Sequence, residues 1–249
     1  LRGPQSTLFG KNASAGVISI VSRKPAFDFG GSLEASYGNY NAFVTKGYLT
    51  GPITETIAAS IAGGYNRRDG YITTAFNGDK VTNRNRWFAR GQMLFEPGND
   101  FSFRVIADYD EIDEKCCAVF NLRSSAATAA IGALGGRVND FRTPFADVIY
   151  SDVAPFNRVR NWGVSGQGDY ELGAVTLTSI TAYRETRIRA DQDVDFTSAA
   201  LATGANIGQA DLATFTQELR LTSNFDGPLN FLVGGFYFNE KANTADQIV

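Results

Sequence analysis

From about residue 29 to residue 241, apolar and polar side chains alternate over runs of about ten positions, and each run ends at turn-forming residues. Such alternation gives a strand one apolar and one polar face. The cleanest run sets Phe101, Phe103, Val105, Ala107 and Tyr109 against Ser102, Arg104, Asp108 and Asp110. Another sets Trp87, Ala89, Gly91, Met93 and Phe95 against Arg86, Phe88, Arg90, Gln92 and Glu96. Nine strands are predicted, at about 29–38, 42–51, 56–67, 83–96, 101–110, 157–170, 174–187, 212–223 and 229–241. The last carries apolar residues on both faces (Phe231, Val233 and Tyr237 against Leu232, Phe236 and Phe238), so the pattern alone does not orient it.

The connections alternate as well. Tight turns follow the second, fourth, sixth and eighth strands, at Gly51-Pro52, Pro97 to Asp100, Glu171 to Gly173 and Asn224 to Pro228. Long polar stretches, about 68–82, 111–156 and 188–211, follow the third, fifth and seventh. Only the tight turn at Gly38 to Asn41, after the first strand, breaks the rule. Short turns at one end and long loops at the other are the expected form of a transmembrane β-barrel. A soluble sandwich also alternates, but its strands run to only about five or six residues. Within the second long loop, Ser124 to Gly136 is rich in alanine and forms a candidate short helix that its glycines disfavour.

Composition narrows the class further. Gly 26, Phe 19 and Tyr 10, against a single Met and no His, fit an all-β chain with many turns. A formal net charge of -3 without a basic run gives no footprint for nucleic acid. No window is long and apolar enough for a membrane-crossing helix, a test to which alternating strands are blind. The chain opens at Leu1 rather than methionine, as an internal stretch of a longer protein would. Cys116 and Cys117 are adjacent, without the spacing of a metal site or a catalytic thiol. Gly10-Lys11 lacks the earlier glycine and the following Ser or Thr of a phosphate loop, since Gln5 and Asn12 stand there. Without histidine, the usual Ser-His-Asp and Cys-His arrangements are excluded within this chain. Asp108, Asp110, Glu111, Asp113 and Glu114 read as a solvated loop base rather than a calcium cage. No enzyme, metal site or cofactor is expected.

The stretch from Arg2 to Pro25 joins a glycine-punctuated loop to a short apolar strand, Val17 to Val21. It resembles the end of the plug domain of TonB-dependent outer-membrane receptors, through Arg2, Gly3, Pro4, Leu8, Phe9, Gly10, Asn12 and Gly16. Thr178 to Arg184, Thr216 to Leu221 and Phe231 to Phe238 are similar to barrel strands of the same family. The resemblance implies residues 1–26 as the C-terminal part of a plug and 27–249 as the N-terminal part of a larger barrel. The expected fold class is therefore an all-β, partial transmembrane antiparallel barrel of about nine strands preceded by the plug end.

The implied function is TonB-dependent import across the outer membrane of a Gram-negative bacterium, with a ferric siderophore as default ligand. A passive porin-like channel and a soluble β-sandwich binding module are the alternatives. Implied partners are outer-membrane lipid, the small-molecule ligand and the TonB complex, the last through parts absent from this chain. Arg86, Arg90, Arg104, Arg184 and Arg220, with Glu34, Asp108 and Glu218, are expected to point into the lumen, mainly to pair with the plug. Candidate ligand contacts are Asp69, Tyr71 and Phe76 in the first long loop, with Arg86 and Arg90 below them.

Overall fold

The computed structural model describes residues 3, 15–16, 18, 20–143, 146–200 and 205–248. The strands are β1 (Gly30–Gly38), β2 (Ala42–Pro52), β3 (Ile57–Arg68), β4 (Ile72–Thr74), β5 (Lys80–Val81), β6 (Arg84–Phe95), β7 (Phe101–Glu114), β8 (Val148–Ile149), β9 (Phe156–Glu171), β10 (Val175–Asp193), β11 (Ala205–Ser223) and β12 (Leu232–Ile248); the nine long ones form where the alternation predicts them, and the short β4, β5 and β8 fall in stretches expected to be loops. The nine long ones make a single antiparallel sheet in the order β1-β2-β3-β6-β7-β9-β10-β11-β12. A 3-stranded sheet, β5-β4-β8, lies within the long connections.

The register sorts the side chains onto two faces. Glu34 opposes Lys46, Arg90 opposes Asp108, Asp108 opposes Gly163, and Gly163 opposes Arg184. Continuing across, Ile180 opposes Glu218 and Thr178 opposes Arg220, so all eight charges expected inside share one face. Leu33, Leu49, Ile61, Met93, Phe103, Val164 and Leu219 share the other, where each is substantially exposed. On this apolar face the rings form two belts. Trp87 packs on Tyr109 with centroids 4.9 Å apart, Trp162 on Tyr183 at 5.5 Å, and Phe215 on Tyr237 at 6.2 Å. Toward the tight turns, Phe101 stands 6.3 Å from both Phe95 and Tyr170, and Phe225 stands 5.9 Å from Phe231. An apolar band flanked by two aromatic girdles is the pattern of a strand-built membrane wall. Tyr237 in the upper girdle also orients β12, placing Phe236 and Phe238 toward the polar face.

The long connections depart from expectation. The acidic run is not a loop base, because β7 continues to Glu114. Asp110 accepts a hydrogen bond from Asn161, and Glu111, Asp113 and Glu114 pair with Arg160, Arg158 and Arg86. The third long connection shrinks to 194–204, because β10 extends to Asp193 and β11 starts at Ala205. The alanine-rich patch does form a helix, α1 (Ala126–Ala133). Its start is held by a reciprocal cap: Thr128 N donates to Ser125 Oγ, and Ser125 N donates to Thr128 Oγ1 at 3.1 Å. It ends at Gly135, whose φ of 81° an L side chain rarely adopts. The strand expected at Val17 to Val21 is not seen among the described residues of that stretch. Ile18, Ile20 and Val21 are exposed, and a strand needs a neighbour to pair with.

Candidate functional site

The polar face of the long sheet carries its charged side chains, and the three long connections meet one another at one end of it. β4 bridges two of them: Ile72 pairs with Val81 of β5, and Thr73 runs parallel to Val148 of β8. Ile72, Val81 and Ile149 form a small buried core, with Ala118 and Phe120 packed against it. The third connection joins through Ser198, whose N–H donates to Arg137 O at 3.0 Å while its Oγ accepts from Arg137 N at 2.8 Å. The long loops therefore form one cap. Phe76 stands exposed at its β4–β5 turn, and Tyr71 packs on Tyr40 with centroids 5.3 Å apart and on the Arg68 guanidinium at 5.0 Å.

Two carboxylates in the cap have shifted affinities for protons. The Lys115 ammonium, hydrogen-bonded at 2.7 Å, holds Asp79 below the usual carboxylate range. Burial, with the nearby charges of Asp193 and Asp195, pushes Asp152 above it. Asp193 is itself buried: one of its oxygens accepts from the Asp195 and Phe196 amides, and the other has no partner among the described residues.

Beneath the cap, the wall is organised around two carboxylates, the buried Glu114 and the half-buried Asp108. Arg86 grips Glu114 with Nε and Nη2 at 2.7 and 2.8 Å, and Glu114 is only 8% exposed. Asp108 accepts Arg184 at 3.0 Å through both oxygens and lies 3.9 Å from Arg90. Arg184 reaches Asp108 by crossing β9 over Gly163. A Cβ there would stand 3.0 Å from the guanidinium, so a bare backbone opens the route. Gly64 works alike: the Phe88 ring fills the space a Cβ would need, 2.5 Å from its nearest carbon. A hollow of about 250 Å³ remains here, lined on the polar face by Lys46, Asn66, Arg86, Phe88, Asp110 and Ile112.

Toward the tight-turn end, the chain before β1 crosses this wall. Arg90 donates to Ser22 Oγ at 2.9 Å, Gln92 to Arg23 O at 3.2 Å and Arg104 to Ser22 O at 3.5 Å. Arg23 lies 5.7 Å from the Tyr48 ring centre, Ala26 N donates to Thr50 Oγ1 at 2.8 Å, and Pro25 is buried.

The five candidate ligand contacts are thus dispersed. Arg86 and Arg90 are engaged with Glu114, Ser22 and Asp108. Asp69 is held at the foot of the first long connection, accepting Asn41 at 2.6 Å and lying 3.7 Å from Arg67. Tyr71 is stacked, and Phe76 is an exposed ring with no ring partner among the described residues. Of the motif residues, Gly3 and Gly16 are described, and Gly3 N donates to Ala15 O at 3.2 Å. Arg2, Pro4, Leu8, Phe9, Gly10 and Asn12 lie outside the described residues. Sequence reasoning missed Glu114, because an acid in a run of acids carries no mark of burial. It also missed Lys46 and Asn66, which reach the hollow only through the register of β2 and β3.

No family model matches the chain. It is 40% identical over 65 residues to the ferrioxamine B receptor of Salmonella typhimurium, which is 25% of this chain and 9% of that protein. It is 40% identical over 55 residues to the pesticin receptor of Yersinia pestis, 22% of this chain and 8% of that one. The aligned part thus spans less than a tenth of these relatives. The fold matches the ferric yersiniabactin uptake receptor FyuA from Yersinia pestis with a TM-score of 0.80 and 21% identity, over 99% of this chain and 36% of that one. The siderophore receptor PiuA from Acinetobacter baumannii gives 0.76 and 17%, over 98% and 34%. The Fiu import receptor of E. coli in its open form gives 0.75 and 14%, over 97% and 38%.

Proposed function

We propose that this chain, whose fold is that of a partial TonB-dependent siderophore-receptor barrel, is part of an outer-membrane importer of ferric siderophores. In this reading residues 1–26 are the end of the plug and 27–249 are the first barrel strands. The observation that carries it is the sheet itself: an outer face with two aromatic girdles, and a polar inner face that grips residues 22–26 of the same chain. A passive channel has no use for a segment fastened across its lumen, and a soluble sandwich has no use for the girdles.

The wall then divides into two jobs. Arg90, Gln92 and Arg104 fasten the plug end to the barrel. The cap, with Phe76 and Tyr71, meets the ligand from outside, and the hollow beside Lys46 and Arg86 receives an anionic chelate on its way in. Cations favour such a ligand because desolvated guanidinium and ammonium groups attract anionic oxygen. Transport involves no covalent step: ligand binds above, and the TonB complex, engaging parts of the protein outside this chain, acts on the plug from the periplasm.

Uptake of radiolabelled ferric siderophores by cells expressing the full-length receptor, with and without TonB, tests this. Import that requires both receptor and TonB is expected, and import that persists without TonB overturns the reading. Lys46→Glu is expected to raise the apparent ligand KM severalfold while leaving receptor abundance in the outer membrane unchanged.

A further inference from the structure

The second long connection passes from the wall into the cap just beyond β7. Glu114, the last residue of that strand, is in the grip of Arg86. Lys115 is tied to the first connection in three ways. Its N donates to Asn83 Oδ1 at 2.6 Å, its O accepts from Thr82 N at 2.8 Å, and its ammonium reaches Asp79 at 2.7 Å. Ala118 and Phe120 already pack against the core of Ile72, Val81 and Ile149. Cys116 and Cys117 fill the gap between these two anchorages, and their sulfurs are bonded to each other. Cys117 and Val119 also line a narrow crevice with Ile149, Tyr150, Ser151 and Phe196, so the pair stands where the second connection meets the third.

A disulfide between distant cysteines staples two segments together. One between neighbours can only stiffen the segment that contains it, because its ring encloses their own peptide and restricts the backbone of both. Stiffness has a use here, since this short segment is what sets the cap core at a fixed position over the end of β7. With the ring open, residues 116 and 117 rotate freely between two fixed points, and the core hangs from a joint. Access points the same way. Cys117 is exposed and Cys116 half-buried, so a small thiol in solution reaches the bond, which it does not do in a sealed core. With no third cysteine in this chain, the bond has no internal partner with which to reshuffle.

We infer that the Cys116–Cys117 disulfide is a redox-responsive latch on the cap, opened by small dithiols and closed again by small disulfides. In opening, one thiolate of the dithiol bonds to the exposed Cys117 Sγ, and the bond between the two cysteines breaks. Cys116 Sγ leaves with the electron pair and takes up a proton. The second thiolate then attacks the dithiol's own sulfur in the mixed disulfide, and Cys117 is released as a thiol. The pair gains two electrons and two protons, and the dithiol ends as a cyclic disulfide. A loosened cap meets ligand differently, a consequence that rests on the importer reading above; the latch itself does not.

Hydrogen exchange of the purified full-length receptor, before and after treatment with dithiothreitol, tests the latch. Reduction is expected to speed exchange of the cap amides at 72–74, 80–82 and 118–120 by about tenfold, while the amides of β2 keep their rates and report an intact wall. Oxidised glutathione is expected to restore the slow rates. The double variant Cys116→Ser, Cys117→Ser should exchange at the fast rate and ignore both reagents. Equal cap exchange in oxidised and reduced wild type overturns the inference, as does recovery of two alkylatable thiols from untreated receptor. Uptake by intact cells reports on the other reading: import that persists without TonB overturns the importer and leaves the latch standing.

Discussion

The two faces of the long sheet share one backbone and one register, yet they are built to opposite rules. The outer face is stabilised by what its side chains avoid: between the girdles it carries Leu33, Leu49, Met93, Val105 and Leu219 and no ion pair among the described residues. The inner face is stabilised by what its side chains find. Asp108 serves two arginines, and Arg86 is committed to Glu114. Between the girdles, a charge is therefore costly or structural depending on which of the two faces its position presents it to.

The largest effect expected from breaking this contrast is Val105→Arg, which places a cation at the middle of the outer band. It should cost about 2–4 kcal/mol in denaturant unfolding of the full-length receptor reconstituted in vesicles. Ser165→Arg, at a similar depth on the inner face, should cost under about 1 kcal/mol, because a polar lumen solvates it. Equal costs would mean that the outer face does not meet lipid.

A smaller effect is expected from Gly163→Val. It blocks the path of Arg184 over β9 and leaves Asp108, only 14% exposed, with Arg90 alone at 3.9 Å. A loss of about 1–3 kcal/mol is expected, and combining it with Asp108→Asn should give less than the sum of the separate costs. Additive costs would show that the bridge contributes nothing.

Much of this was legible in the chain. Alternation alone placed nine strands, and the parity of Arg86, Arg90, Arg104, Asp108, Arg184, Glu218 and Arg220 is seen in the register. It failed where the environment changes along a strand. Beyond Tyr183 the outer positions of β10 are Glu185, Arg187, Arg189 and Asp191, because there the strand has passed the upper girdle and left the apolar band. The apolar–polar rhythm stops although the strand continues, and a pattern read by polarity takes the rest for a loop. The bridge from Asp108 to Arg184 was hidden for another reason. It depends on residues 76 apart being two strands apart with a glycine between them, which only the assembled register supplies. The cap was hidden likewise, since the pairing of Thr73 with Val148 joins short segments with no strand signature of their own.

The smallest effect lies in the cap, away from both faces. Asp152 is held above the ordinary carboxylate value of 3.8 by burial and by Asp193 and Asp195. Its neutral form is thus favoured in the folded cap. The stabilisation is fully present below that ordinary value and is lost as pH rises from there through the raised one. Amides of residues 146–153 should accordingly open more readily as pH rises through this window, once the intrinsic pH dependence of exchange is removed. Asp152→Asn should flatten the dependence and slow their exchange at neutral pH by about threefold. An unchanged profile in the variant would remove Asp152 from the account.

The parallel pairing of β4 with β8 ties together connections that are separated by two strands of the barrel wall, β6 and β7. Loops anchored only at their own strand ends fluctuate independently, each with its own opening free energy. Once Ile72, Val81 and Ile149 share a core, the first two connections exchange and unfold together, and Ser198 draws the third into the same unit. An antibody or phage protein that recognises this surface therefore reads a composite shape rather than a linear peptide. Cutting the chain within any one connection would alter how all three are presented.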